Sequence, residues 1–367
     1  MTPVQRPPSA KLLVVDGDGR ITHARRADFI DYLEDGDVVV ANDAATLPAS
    51  LHGVHQTTGQ PIEVRLAGRS SLSPADIVNA SAVVFGAGDY HTPTEHRPLP
   101  PPLLSGDRLL LGPLLATVTG TLGHRRLVSL HFDGTPDIVW AGIARHGRPI
   151  QYAHVPTSLE MWDVWTAIAG YPAAFEPPSA GFVLDWRMLA RLRDRNIAFV
   201  TLTHAAGVSS TGDDELDARL PFDEPYVIPP ATASAINCGI AQGHRIVAIG
   251  TTVVRALEHA ATALGRVRSG AGVATQRITA NSQLHLVDAI VTGVHDPATS
   301  HYQLLRAFAD ERTLRRAAEA MTAAGYRTHE FGDSVLIERG VSTLKTSAGF
   351  LTDRWSLSGQ ASAAHAL

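Results

Sequence analysis

Apolar and polar positions along the chain fall into three regimes. In the first, residues 11–16 (KLLVVD) form a β-branched run, followed by Gly17-Asp18-Gly19 and then residues 20–23. This pattern predicts strand, tight turn and strand, because Asp-Gly supplies the positive φ that hairpins need. A short amphipathic stretch at 27–33, a turn at 34–37 and a buried-looking strand at 38–41 follow, the last ending in Asn42-Asp43. The second regime, about 61–142, holds short β-type runs at 62–66, 82–85, 108–111, 116–121 and 127–132, split by Gly, Pro and Ser clusters. It lacks a 3.6-residue stripe, and evenly spaced short strands predict a small β-barrel.

From Tyr152 onward an apolar run passes three times through a small or polar loop into a helical pattern. The runs are 197–202 before His204 and Gly207, 245–249 before Gly250-Thr251-Thr252, and 287–291 before Thr292-Gly293-Val294-His295-Asp296-Pro297. Alternating strands and helices predict parallel crossover units, with helices near 186–195 and 231–242 covering the faces. The expected fold is therefore α/β: a mixed or parallel sheet layer with helices on its faces plus an inserted small β-barrel domain. Residues 1–60 and 143–351 would form the discontinuous α/β domain, 61–142 the barrel, and the Ala/Ser-rich 352–367 a flexible tail.

Composition narrows the function classes. With Lys+Arg 31 against Asp+Glu 36, the formal charge of -5 argues against a strongly basic nucleic-acid binder, so any RNA contact needs a local patch. Cys238 is the single cysteine, which excludes an intramolecular disulfide and Cys-based zinc sites. Residues 1–10 lack the apolar core of a signal peptide, and no run approaches the ~18 apolar residues of a membrane span. A cytoplasmic protein without membrane contact, monomer or homodimer, is the expectation.

Ligands of open α/β sheets bind where strands end and helices begin, so the junctions carry the candidate chemistry. Gly250 permits close backbone approach, Thr251 and Thr252 open a helix whose free N–H groups favour an anion, and Arg255 lies one turn inside as a possible clamp; a plain Thr cap with a solvated Arg is the alternative. His295 beside Asp296 could exchange protons. Asp223-Glu224 and Gly332-Asp333 offer carboxylates. His52/His55 and His91/His96 lack metal-ligand spacing, so no metal is expected. Arg187, Arg191 and Arg195 read as a solvated helix face or an RNA-backbone patch, and Trp162 and Trp165 as core.

Taken together, these segments resemble the S-adenosylmethionine:tRNA ribosyltransferase-isomerase family of queuosine biosynthesis. Residues 36–43 (GDVVVAND), Leu47-Pro48-Ala49 and Leu51-His52-Gly53 resemble GDLLVxNDTRVxPARLxG; Pro178-Ser179-Ala180-Gly181 stands for PTAG. Gly250-Thr251-Thr252 with Val254-Arg255 and Leu257-Glu258 resembles GTTSVRxLE; Thr292, His295 and Pro297 fit TNFHLPxST; Gly332-Asp333 fits YGDAM. There are departures. Ala44-Ala45 and Ser50 stand where the family has Thr-Arg and Arg, Val183 and Phe222 where it has His, and Gly293 where it has Asn.

The resemblance implies an enzyme taking S-adenosylmethionine as ribosyl donor and co-substrate, with a 7-deazaguanine (preQ1) base in tRNA as acceptor, adenine and methionine leaving and epoxyqueuosine formed. It implies catalytic roles for His295 as proton donor and for Asp333 or Glu224 as base or sulfonium partner. S-adenosylmethionine would be held by Gly250, Thr251, Thr252, Arg255, Ser179, Gly181, Asn42 and Asp43. Loss of guanidinium groups at Ala45 and Ser50 would weaken tRNA binding. A paralogue with a small-molecule or free-nucleoside acceptor, and a non-catalytic S-adenosylmethionine-binding protein, remain the alternatives.

Overall fold

The computed structural model describes residues 7, 9–297, 299–329 and 331–340. The expected tail at 352–367 lies outside the described residues. Among those described, nine strands form one mixed sheet in the order Gly270–Ala274, Glu224–Ile228, Ala198–His204, Val38–Asn42, Ile246–Ile249, Ala289–Gly293, Ser334–Glu338, Lys11–Val15, Ile21–Arg25. Val38–Asn42 is central and buried at every position, with parallel neighbours on both sides. Its side chains alternate between the two faces, as a pleated strand requires. Val38 and Val40 join one core with Val254, Leu257 and Ile290, while Val39 and Ala41 join the other with Phe29, Leu192 and Ile249.

The hairpin of 11–25 forms as the Asp-Gly turn predicts, with Asp16 accepting from Gly19 N at 2.8 Å through its carbonyl and from Arg20 N at 2.8 Å through its carboxylate. Two of the three crossover expectations change. The strand Ile246–Ile249, the helix Thr251–Ala260 and the strand Ala289–Gly293 make a parallel unit. Ala198–His204 instead runs through a loop into the antiparallel Glu224–Ile228, and Ala289–Gly293 pairs antiparallel with Ser334–Glu338. Apolar runs alone do not distinguish a returning strand from a crossover.

A closed barrel of six strands, again among the described residues, stands beside this layer: Leu127–Phe132, Asn79–Phe85, Pro61–Gly68, Ser50–His55, Arg108–Leu111 and Leu114–His124. It takes in Ser50–His55, ahead of the expected start at 61, because that strand pairs with both Pro61–Gly68 and Arg108–Leu111. Leu51, Val64, Val84, Leu109, Val118 and Phe132 fill its interior. One buried charge array interrupts the apolar packing. Glu63 accepts from Arg65 Nε at 2.7 Å, from Ser50 Oγ at 2.8 Å and from Arg97 Nη1, while Arg65, Arg97 and Arg126 lie within about 5 Å of the Phe85 ring centre (4.8, 5.3 and 5.0 Å).

No helix among the described residues is long and apolar enough to cross a membrane.

Candidate active site

A cleft of about 260 Å³ opens at the carboxyl ends of Ile246–Ile249 and Ala289–Gly293, the edge at which α/β sheets take ligands. Gly250 makes its floor possible. It sits at φ 100°, ψ 153°, a conformation reserved for glycine, and a Cβ there would lie 3.4 Å from Ala180 Cβ. The chain thus turns from strand to helix against the short turn Ser179–Val183, bringing Ser179 and Gly250-Thr251-Thr252 to one wall. No side chain caps the helix Thr251–Ala260, so its first N–H groups and positive dipole end are left to serve a ligand at that wall.

Glu224 and Arg255 form the charged core of the cleft. Glu224, 6% exposed, accepts from Gly207 N at 2.6 Å and from Arg255 Nη1. Burial raises its pKa, and the Arg255 charge and the Gly207 N–H pull back against that rise. Arg255 spends its other donors inward, on the carbonyls of Ala274 (2.7 Å), Phe222 (3.1 Å) and Gln276 (3.4 Å). Four of its five N–H donors are thereby committed to Glu224 and to backbone carbonyls, so the structure gives Arg255 the task of anchoring Glu224 at the cleft. His204, fully buried, places Nε2 3.6 Å from Glu224 Oε2.

His295 lines the opposite part of the cleft. Its Nε2 is 2.7 Å from Thr292 Oγ1 and its ring stacks on His301 at 4.8 Å. Burial, then the neighbouring His301, hold the His295 pKa well below the ordinary histidine value; burial and then Arg255 lower His301 to about 4. Both rings are neutral at pH 7. His295 can thus share or relay a hydrogen bond but does not stand ready as an imidazolium.

A family model described as "Queuosine biosynthesis protein" matches residues 1–337 of the 367. This chain belongs to that family. A protein named S-adenosylmethionine:tRNA ribosyltransferase-isomerase from Ralstonia nicotianae is 31% identical over 90% of this chain and 89% of its own length. Proteins of the same name from Sorangium cellulosum (31%, covering 92% and 95%) and Thermus thermophilus (30%, covering 89% and 92%) are similar. A crystal structure titled S-adenosylmethionine tRNA ribosyltransferase from Thermotoga maritima matches 90% of this chain and 95% of that one at 22% identity and a TM-score of 0.46.

In this family member, Gly250, Thr251, Thr252, Arg255, Ser179, Glu224 and His295 meet at one cleft. Four expected residues stand outside its lining. Asp333 accepts the N–H of Lys11 at 2.7 Å and of Arg327 at 2.9 Å, with the Arg327 guanidinium at 3.5 Å, tying the first strand to the loop before Ser334–Glu338; Glu224, in contrast, is one of the carboxylates that line the cleft. Asp43 accepts from the hydroxyls of Thr201 (2.8 Å) and Thr203 (2.6 Å). Asn42 pairs with both backbone groups of His204 at 2.9 Å and donates to Thr252 Oγ1 at 3.4 Å, so it acts one layer behind the helix start. Gly181 is a packing glycine, where a Cβ would come 2.9 Å from Thr166 Cγ2.

The arginine stripe is exposed at Arg187, Arg191 and Arg193, as a solvated helix face requires, and two of its members also tie the helix to the fold. Arg191 pairs with Asp31, and Arg195 donates to the carbonyls of Ile30 and Leu33, stapling the helix Trp186–Asp194 to the segment Arg26–Tyr32. Trp162 and Trp165 are exposed, not core. Sequence reasoning missed Glu176, His154, His301 and His329, all of which line the cleft. Only the position of Glu176 beside Pro177-Pro178 hinted at it, since the following turn returns to Gly250.

Proposed function

We propose that this chain uses S-adenosylmethionine as a ribosyl donor to the aminomethyl group of a 7-deazaguanine (preQ1) base in tRNA, with adenine and methionine leaving and epoxyqueuosine formed. The observation that carries the proposal is the uncapped start of the helix Thr251–Ala260 beside the Glu224–Arg255 pair in a single cleft. Together they answer two of the donor's three charged groups. The first N–H groups of the helix suit the methionyl carboxylate, and a buried carboxylate suits the sulfonium. The relatives' name, at about 30% identity over nine-tenths of the chain, supports the same reading.

The reaction requires a base for C5′, whose hydrogens the sulfonium acidifies, and a hydrogen-bond donor for the departing adenine. Glu224 fits the first role because burial raises its basicity while Arg255 keeps it ionised and oriented. His295 fits the second as a neutral ring: when Thr292 donates to Nε2, Nδ1 carries the proton. Alanine at Arg255 or His295 should suppress turnover, and unchanged turnover in both would refute this site. The decisive assay incubates the protein with S-adenosylmethionine, with and without preQ1-bearing tRNA, and follows adenine by mass spectrometry. Adenine formed only with the tRNA supports the proposal; adenine formed without it points to a small-molecule acceptor; none in either arm leaves a binding protein.

A further inference from the structure

A buried imidazole stands against Glu224, and the mechanism above leaves it without a task. His204 ends the strand Ala198–His204 and is fully buried. Its backbone is held on both sides by Asn42, which accepts from His204 N at 2.9 Å and donates to the His204 carbonyl at 2.9 Å. Its ring lies parallel to that of Tyr226 on the neighbouring strand, at 5° and 6.4 Å between centres. The Tyr226 hydroxyl is engaged with His259 Nδ1 at 2.9 Å, so it does not serve this ring. Neither ring nitrogen of His204 has a hydrogen-bond partner among the described residues. Burying polar atoms unpaired is unfavourable, and a fold that pins the ring this firmly beside a carboxylate calls for a use of those nitrogens.

His204 Nε2 stands 3.6 Å from Glu224 Oε2. That oxygen also accepts from Arg255 Nη1, and Oε1 accepts from Gly207 N at 2.6 Å. A proton on Nε2 would make a charge-assisted bond to the ionised carboxylate, and such bonds close to about 2.7–2.9 Å. The longer separation suits the other tautomer, with the proton on Nδ1 and a lone pair on Nε2. That lone pair gains nothing while Glu224 is ionised. Once Glu224 carries a proton, the same two atoms become donor and acceptor, and an approach of about 1 Å completes an O–H···N bond. Both hydrogen-bond partners of Glu224 are donors, so neither can receive that O–H, and Nε2 is the acceptor at hand. Burial, then the Arg255 charge, hold the His204 pKa well below the ordinary histidine value, which keeps the lone pair free of a proton. The other titratable groups around the pair are Arg255 and His259 on the helix Thr251–Ala260, Asp223 and Tyr226 on either side of Glu224, Asp43 after the central strand, and His301, within reach of the Arg255 charge.

We infer that His204 is the positioning residue of the base: when Glu224 takes the C5′ proton, its new O–H donates to His204 Nε2. This rests on the proposed reaction for the source of the proton. The C5′–H bond breaks, its electron pair stays on C5′ beside the sulfonium, and the proton bonds to Glu224; His204 gains a hydrogen bond and no proton. The bond forms only as the proton is transferred, so it speeds the step without tightening the binding of S-adenosylmethionine.

Steady-state kinetics of adenine release from S-adenosylmethionine and preQ1-bearing tRNA test this on the full chain. His204→Phe keeps a ring against Tyr226 and removes both nitrogens. Its kcat should fall on the order of tenfold, the scale of one hydrogen bond, with KM for S-adenosylmethionine unchanged. Losing an acceptor that favours protonated Glu224 makes the carboxyl more acidic, so the limb of the kcat profile that requires its ionised form should move to lower pH. His204→Gln keeps a side-chain carbonyl as acceptor and should restore part of the rate. A limb that stays in place, as a packing role predicts, or one that moves to higher pH, as loss of a donor predicts, would overturn the inference. Thermal melts check that each variant is folded. A second readout needs no turnover: in wild-type protein labelled with ¹⁵N-histidine, the Nε2 signal of His204, identified by its loss in either variant, should be that of an unprotonated nitrogen. It should shift as pH falls through the titration of Glu224 and stay constant in Glu224→Gln. A protonated Nε2, or a shift that persists in Glu224→Gln, would overturn the inference. An Nε2 signal that follows Glu224, in a protein that releases no adenine, would sink the ribosyl-transfer reading and leave the pairing of His204 with Glu224 standing.

Discussion

Replacing Arg255 by Met tests the central pair most directly. The substitution keeps an unbranched side chain in the helix Thr251–Ala260 but removes the only cation hydrogen-bonded to Glu224 among the described contacts. It also strips donors from the carbonyls of Phe222, Ala274 and Gln276. Breaking a buried ion pair on one side costs about 3–5 kcal/mol, chiefly because the surviving charge stays desolvated. Burial already raises the Glu224 pKa above the 4.5 of the free side chain, and losing Arg255 raises it further.

The sign follows from proton binding. A group whose folded pKa is raised binds more protons folded than unfolded, so its contribution to stability is full below about 4.5 and is lost as pH rises through the folded value. Arg255→Met should therefore be most damaging at pH 8 and milder at pH 5. Urea denaturation of both proteins at the two pH values measures this. The double variant Glu224→Gln/Arg255→Met should recover part of the loss at pH 8. A penalty equal at both pH values, or a double variant as unstable as the single one, would show that Glu224 does not carry an uncompensated charge and would refute the reasoning.

Other consequences follow from the same structure. Gly250→Ala forces a side chain into a glycine-only conformation at a cost on the order of 1–3 kcal/mol, and thermal melts and calorimetry should show lower stability and weaker S-adenosylmethionine binding together. His295→Phe keeps an aromatic ring and removes its hydrogen bonds; adenine release should fall about 10²–10⁴-fold with little change in KM for S-adenosylmethionine. Because burial and His301 keep His295 neutral, its ring nitrogens should give neutral-imidazole NMR shifts at pH 6, and the pH profile of kcat should carry no limb at the ordinary histidine value that this substitution removes. In the barrel, burial pushes the Glu63 pKa up but Arg65 and Arg97 more than reverse it, holding it at about 2. The sign is opposite to that of Glu224: stability is present above 4.5 and lost as pH falls through about 2, a contribution of roughly 3 kcal/mol that Glu63→Gln should remove in urea titrations at pH 7.

How far the sequence was legible depended on whether a residue's partner lay nearby along the chain. The Asp-Gly hairpin, the barrel strands from 61 onward and the Gly250-Thr251-Thr252 junction are local patterns, and each forms where the pattern places it. The roles of Arg255 and Asp333 are set by residues far away in sequence. The carboxylate that captures Arg255 stands 31 residues before it, and the N–H that captures Asp333 belongs to Lys11, 322 residues away. A motif can mark such residues but cannot tell whether they face a ligand or the backbone. Glu176 is the converse case. Between Phe175 and Pro177 it reads as loop, and only the folding of that loop against Ser209 turns it toward the cleft.

The same logic revises what the departures from the family pattern mean. Read along the chain, the missing guanidinium at Ser50 suggests weakened contact with tRNA. In the fold, Ser50 is buried in the barrel, its Cα paired with that of Arg65 across two strands, and its hydroxyl donates to Glu63. A guanidinium on residue 50 would meet Glu63, not solvent, and Arg65 and Arg97 already occupy that carboxylate. The loss at this position therefore counts as core chemistry and says nothing against an RNA acceptor. Ser50→Arg should place a third cation against Glu63 in a filled interior and destabilise the protein, with urea titration as the measure. A stable variant that binds preQ1-bearing tRNA more tightly, with a steeper salt dependence, would show instead that this side chain can reach a phosphate.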